Sequence, residues 1–267
     1  MITLDAATVL LQWAVGGLFF LWVTTRRREV GIGYGWLMRA VFGLMAAGGL
    51  AVGLVFDPVP VREVAAAGVV LATGGALVAS VVRRRAGVAG HRGVDPDGAD
   101  PDGAEFPPVL DLVAPVLGLV ALVAAGLDAG DPALLSVSRT LVGALFLGAV
   151  TDAMLLGHWY LVQPGLAREP LLDLVRWAGI TWPFELAVLL WPTGMVSVLN
   201  GTIDDGYNGL LGWFWAACVV TTIALVVLTR AALRERQYSA VMAATGLLYL
   251  AILTAFGMDL VARAVLA

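Results

Sequence analysis

Five ionisable residues, Asp152, His158, Asp173, Arg176 and Glu185, fall inside or at the edge of apolar runs within a single stretch of 35 residues, 151–185. On the mildest insertion scale a charge at the centre of a membrane-spanning helix costs roughly 2.5 to 3.5 kcal/mol, so each of these groups calls for a partner or a task. Imidazole titrates near physiological pH, which suits His158 to exchange protons at the inner side. Asp152 falls near mid-span and is the candidate buried carrier, with Glu185, in the outer half, as the outward acceptor. Asp152 and His158 are six residues apart, about 9 Å in rise and about 120° around a helix, so they form no direct pair. Asp173 and Arg176 stand at i and i+3, the spacing of an internal ion pair, with Arg176 as a positive anchor. Arg139 and Asp259, near the outer ends of their own apolar runs, complete an exit path.

Aromatic residues crowd the same region, with six of the nine tryptophans between positions 159 and 215. Trp159 suits an interfacial belt. Trp177 and Trp182 lie deeper, where they either wall a flat pocket for a quinone, isoprenoid or other lipid, or fill a helix interface. Pro183 removes one helical hydrogen bond close to Glu185, a feature of both ligand-binding and ordinary membrane helices.

The elements that must position these residues are long apolar helices. The chain has 267 residues, 60% hydrophobic and 13% charged, whereas soluble domains carry about a quarter charged residues. About 20 residues cross the hydrocarbon of a bilayer, and eight such runs can be placed, at approximately 6–25, 35–55, 63–82, 109–127, 135–162, 170–192, 209–229 and 238–262. The expected fold is therefore an all-α polytopic membrane bundle. Helices 1–3 occupy 1–82, a disordered linker spans 83–108, and helices 4–8, with the polar site, occupy 109–267. The stretch 181–199 could hold a re-entrant turn in place of a simple exit. Gly49 and Gly53 make a GxxxG spacing that permits close helix approach.

Arginine sets the expected orientation. All 16 basic residues are arginine; Arg26, Arg27 and Arg28 follow the first run, Arg83, Arg84 and Arg85 the third, Arg168 the fifth, and Arg230, Arg234 and Arg236 the seventh, while the alternate loops hold little beyond Arg62. The positive-inside rule then places those loops in the cytoplasm and both termini outside it. The N-terminus carries Asp5 and no positive segment, which favours a retained first span over a cleaved signal peptide. The linker contains a tandem Asp-Pro-Asp-Gly-Ala repeat at 95–104; it lacks the closing ligand and helices of a calcium loop and reads as a solvated tether.

The inventory excludes more than it names. His91 lies in the linker, so a single chain cannot supply two intramembrane histidines to a haem. One cysteine, Cys218, allows no intrachain disulfide or cysteine-based metal site. No zinc ligand cluster, phosphate loop or hydrolase motif is present, and no basic domain points to nucleic acid. The leading expectation is a multi-pass inner-membrane protein whose fifth and sixth spans handle protons, interacting with a quinone-like lipid and a membrane redox partner. A small-solute or lipid transporter and a non-catalytic assembly subunit are the alternatives.

Overall fold

The computed structural model describes residues 5–85 and 106–267. Among these residues the chain is helical throughout: α1 (Ala6–Thr25), α2 (Ile32–Phe56), α3 (Pro60–Arg85), a 3-10 turn (Pro108–Leu112) leading into α4 (Val113–Asp128), α5 (Ala133–Val162), α6 (Glu169–Leu190), a short α7 (Gly194–Leu199), α8 (Leu210–Arg234) and α9 (Tyr238–Leu266). The eight expected runs correspond to the eight long helices. The linker expected at 83–108, with its repeat and His91, lies largely outside the described residues.

Seven of these helices are long and apolar enough to cross a membrane. The exception is α6, long enough at 22 residues but carrying Glu169, Asp173, Arg176 and Glu185. Large apolar side chains point outward with nothing over them, among them Leu44 at 74% exposure, Val64 at 76% and Leu71 at 75%. In water such a surface would be costly; against hydrocarbon it is the correct solvent boundary, and the helices satisfy their own backbone groups. The chain is a multi-pass membrane protein.

The bundle is built around α1 and α5. Helix α1 packs against α2, α4 and α5, while α5 also contacts α6 and α9. Leu11, Phe20 and Leu21 of α1 and Phe146, Ala149 and Val150 of α5 are completely buried. Glycine permits the crossing. A Cβ on Gly16 would overlap the Ala144 carbonyl oxygen, and one on Gly148 would overlap the Gly16 backbone. Gly49 is used in the same way within the chain, since its Cβ position lies 3.1 Å from the Ala7 carbonyl oxygen.

Buried ion pairs tie the ends of the first helices together. Arg39 of α2 donates to both oxygens of Asp111, at 2.8 and 2.7 Å, and its guanidinium stacks 4.4 Å over the Phe106 ring. At the other end of α2, Arg62 reaches Asp5, Glu63, the Thr8 hydroxyl and the Asp57 carbonyl. Asp5 also caps α1 by accepting from the Ala7 and Thr8 amides.

Arg168 donates to the carbonyls of Leu233, Glu235, Arg236 and Gln237, clamping the α8–α9 turn. After α6 the chain turns and adds the short α7, whose Met195 and Val198 are buried. This is the segment where a re-entrant turn competed with a simple exit.

The α7–α8 loop is organised by one carboxylate. Asp205 accepts from the amides of Tyr207 and Gly209 through one oxygen and of Leu211 and Gly212 through the other, at 2.8 to 3.3 Å. It thereby satisfies amides at the start of α8 that have no helical acceptor. Partial burial opposes ionisation, but the four amides outweigh it and hold this carboxyl below the ordinary range. A depressed folded value means that the stabilisation is complete above the unfolded value of about 3.9 and is lost as pH falls through the folded value. Amide exchange should therefore show protection at Leu211 and Gly212 that disappears on acidification below pH ~4. Asp205→Ala should remove that protection at every pH; unchanged protection in the variant would show that the carboxylate does not organise the loop.

Candidate functional site

Burial separates the candidate residues into two groups. Asp152 and Glu185 are fully buried at 0% exposure, and none of their four carboxyl oxygens accepts a hydrogen bond. Polar groups in protein interiors are nearly always paired, so each exception needs a cause.

Glu185 sits in a cluster drawn from four helices. Beside it lies Asp259 of α9, with Arg263 and Arg139 close enough to act on its charge. Asp259 is already held by Arg263, Nε to Oδ1 at 2.6 Å, and Gln12 of α1 approaches its other oxygen at 3.5 Å. Arg139 of α5 spends its donors on the end of α6, reaching the carbonyls of Val188 at 3.0 Å and Trp191 at 3.1 Å. Arg263 turns back to the Arg139 carbonyl. Gly143 provides the space, since a Cβ there would lie 2.9 Å from Asp259 Oδ1 and collide with Gln12 and Arg263.

The electrostatics of this cluster are nearly closed. Two guanidinium groups face two carboxyl groups, so ionised Glu185 balances the charge and protonated Glu185 leaves one positive charge in excess. Bare carboxylates present only acceptors to one another, and a single proton converts the Glu185–Asp259 contact into a hydrogen bond. Pro183 lies inside an unbroken α6, so the anticipated interruption near Glu185 comes instead at the end of the helix, where Arg139 covers the free carbonyls.

Asp152 occupies a different place. It stands four residues after Gly148, about 40° around α5 from the residue that meets α1. Its neighbour Thr151 accepts from the Trp13 indole at 2.7 Å. On α2 the Tyr34 hydroxyl is likewise fully buried without a partner. Thirteen residues of α5 separate Asp152 from Arg139, about 20 Å along the axis. Asp152 and Glu185 are therefore two sites and not one.

The remaining candidates are dispersed. His158 is exposed on the surface of the bundle, where its Nδ1 is 3.0 Å from the Tyr249 hydroxyl of α9. The Asp173–Arg176 pair does not form: Asp173 meets Arg27 at 2.9 Å, and Arg176 is exposed. Approach of α1 to the start of α6 gives Asp173 this partner, and both members are partly solvated, so the pair is worth only ~0–1 kcal/mol. Trp177 packs edge-on against Phe20, Trp182 donates to the Val219 carbonyl at 3.3 Å, and Trp159 packs on Tyr34 while donating to Gln163. The tryptophans fill three helix interfaces and do not line one wall.

Sequence reasoning singles out Glu185, Arg139 and Asp259 and misses Gln12, Arg263 and Tyr34. Arg263 was discoverable, because it stands at i+4 from Asp259, the spacing of a helical ion pair. Tyr34 carried no such signal. Among the described residues no group of three or more histidine, cysteine or acidic side chains could hold a metal. Comparison with protein families, curated proteins and solved structures yields no match, so the functional assignment rests on these two buried acids and their surroundings.

Proposed function

We propose that this protein handles protons inside the membrane, with Glu185 as the proton-exchanging group of the outer half and Asp152 as a carrier deeper in the bundle. The single observation that carries this reading is the set of four fully buried carboxyl oxygens without a hydrogen-bond donor. A carboxylate in that condition is satisfied by a proton, and the Arg139–Asp259–Arg263 surroundings set how readily Glu185 gives it up. The partner is a membrane redox subunit in the inner membrane, with both termini on the outer side. A quinone-like lipid would meet the chain at His158, whose ring faces outward and whose Nδ1 is fixed by Tyr249. Arg176, exposed on α6, remains available as an anchor for a charged group.

In nanodiscs with little buffer, an alkaline pH step followed by a dye should release one proton fewer from Glu185→Gln than from wild type, and likewise from Asp152→Asn. Equal release by all three would remove the proton-handling role. A second reading, transport of a small solute or lipid, draws on the carbonyls that the end of α6 leaves to Arg139, since free helix-end carbonyls line substrate sites in other membrane proteins. Solute uptake into vesicles without any redox partner would favour it.

A further inference from the structure

Arg176 of α6 and Arg230 of α8 are both exposed, and among the described residues neither guanidinium has a hydrogen-bond, ion-pair or aromatic partner. The nearest acid on the same helix, Asp173, is taken by Arg27 at 2.9 Å. Contacts along the α6–α8 seam fix the relative level of the two arginines. On one side of Arg176, Arg168 donates to the Leu233 carbonyl at 3.3 Å; on the other, the Cβ position of Gly179 lies 3.6 Å from Val226 Cγ1, and Trp182 donates to the Val219 carbonyl at 3.3 Å. The two helices are therefore antiparallel, and Arg176 stands opposite the stretch between Val226 and Leu233, where Arg230 is the one charged residue. Helical phase sets their direction. Arg176 lies about 60° around α6 from Gly179, and Arg230 about 40° around α8 from Val226. Because the helices run in opposite directions, both rotations turn to the same side of the seam, where Ile180 and Val227 are also exposed. The other side is bundle interior, with Val175, Ala178 and Thr229 buried.

We propose that Arg176 and Arg230 together bind the phosphate of one anionic phospholipid, whose acyl chains lie along the seam over Ile180 and Val227. Axes of packed helices are about 8–10 Å apart, so two arginine side chains on one side of a seam can converge on a single phosphate. The guanidinium fork matches phosphate oxygens, and two of them face an anion better than they face each other. Arg176 stands seven residues, about 10 Å, inside the start of α6, and Arg230 four residues, about 6 Å, before the end of α8. At that depth a cation without a counterion is costly, and a lipid headgroup is the anion that comes with its own apolar tail. Free phosphate would have to leave water for a site flanked by apolar side chains. Arg234 continues the exposed strip one turn beyond Arg230, toward the end of α8. The site deepens the anchoring role proposed for Arg176 and is independent of proton exchange at Glu185 and Asp152.

Native mass spectrometry of the full chain, released from micelles holding equal amounts of phosphatidylglycerol and phosphatidylcholine, counts the lipids that stay bound. Wild type should retain one phosphatidylglycerol in preference to phosphatidylcholine. Arg176→Gln and Arg230→Gln should each weaken that retention about fivefold, the usual effect of one basic residue at an anionic lipid surface. Arg26→Gln removes an exposed arginine that lies over Trp22 at the same end of the bundle, and it should leave the retention unchanged. Both seam substitutions are at exposed positions, so the fold survives them. No preference for phosphatidylglycerol in wild type, or full retention in both seam variants, would overturn the site. Equal weakening in Arg26→Gln would overturn it as well, because the effect would then follow overall charge. Inorganic phosphate at millimolar concentration should not displace the lipid; displacement would assign the two arginines to free phosphate and overturn the lipid site. None of these outcomes bears on proton release from Glu185 or Asp152.

Discussion

Arg39→Met lowers the stability of the folded bundle by ~3–5 kcal/mol, the usual consequence of removing one partner from a buried ion pair. The side chains of Arg39 and Asp111 are only 4% and 3% exposed, and the two are joined by a bidentate contact. Deleting the guanidinium leaves the Asp111 carboxylate with the Thr25 hydroxyl at 3.4 Å as its remaining side-chain donor. The pair itself is worth much less than this loss, because forming it required both charges to leave water. The double variant Arg39→Met/Asp111→Leu should therefore recover most of the stability. Unfolding in mixed micelles by a denaturing detergent measures both. Equal loss in the single and double variants would mean that the contact is not a compensated pair.

A substitution at the α1–α5 crossing acts by a different cause. In Gly148→Val the new side chain meets the Gly16 backbone, and no flexible group stands there to yield. Overpacking costs ~1–3 kcal/mol where side chains can shift; two helical backbones must separate here, so the upper end of that range or more is expected. Gly148→Val should also loosen Asp152, one turn further along α5, and raise deuterium exchange of the α5 amides around it. Stability within 0.5 kcal/mol of wild type, the range of an ordinary surface change, would show that α1 and α5 do not cross at Gly16 and Gly148. Gly246, with open space at its Cβ position, is the control, and its replacement by alanine should lose nothing.

Much of the fold is legible because hydrophobic runs of about 20 residues and arginine-rich turns mark each long helix in one dimension. What those signals do not contain is rotation. Reading arginine as a marker of loops passes over Arg39, which is inside a span and buried, and over its partner Asp111, which is 72 positions away. The same limitation explains His158 and Asp152. Their spacing correctly puts them on different faces of α5, but nothing local tells which face meets α1 and which faces outward. Asp173 is the converse case: its i+3 neighbour Arg176 offers an obvious partner, and tertiary packing supplies Arg27 instead. Glu185, Arg139 and Asp259 are legible together because all three lie toward the same end of the bundle. Depth along the membrane normal can be read from a sequence, whereas azimuth around each helix is decided by the packing.

As the proton-exchanging group proposed above, Glu185 must bind and release a proton while buried. Hydrophobic carbodiimides enter bilayers and modify carboxyl groups that carry a proton in an apolar setting, and peptide mass spectrometry locates the adduct. In membranes containing the full chain, Glu185 should be modified, the yield should fall as pH rises, and Glu185→Gln should eliminate the adduct from that peptide. Absence of modification at Glu185 across the whole pH range, with exposed carboxyls such as Glu169 serving as the unmodified reference, would contradict the assignment of this residue as the proton-exchanging group.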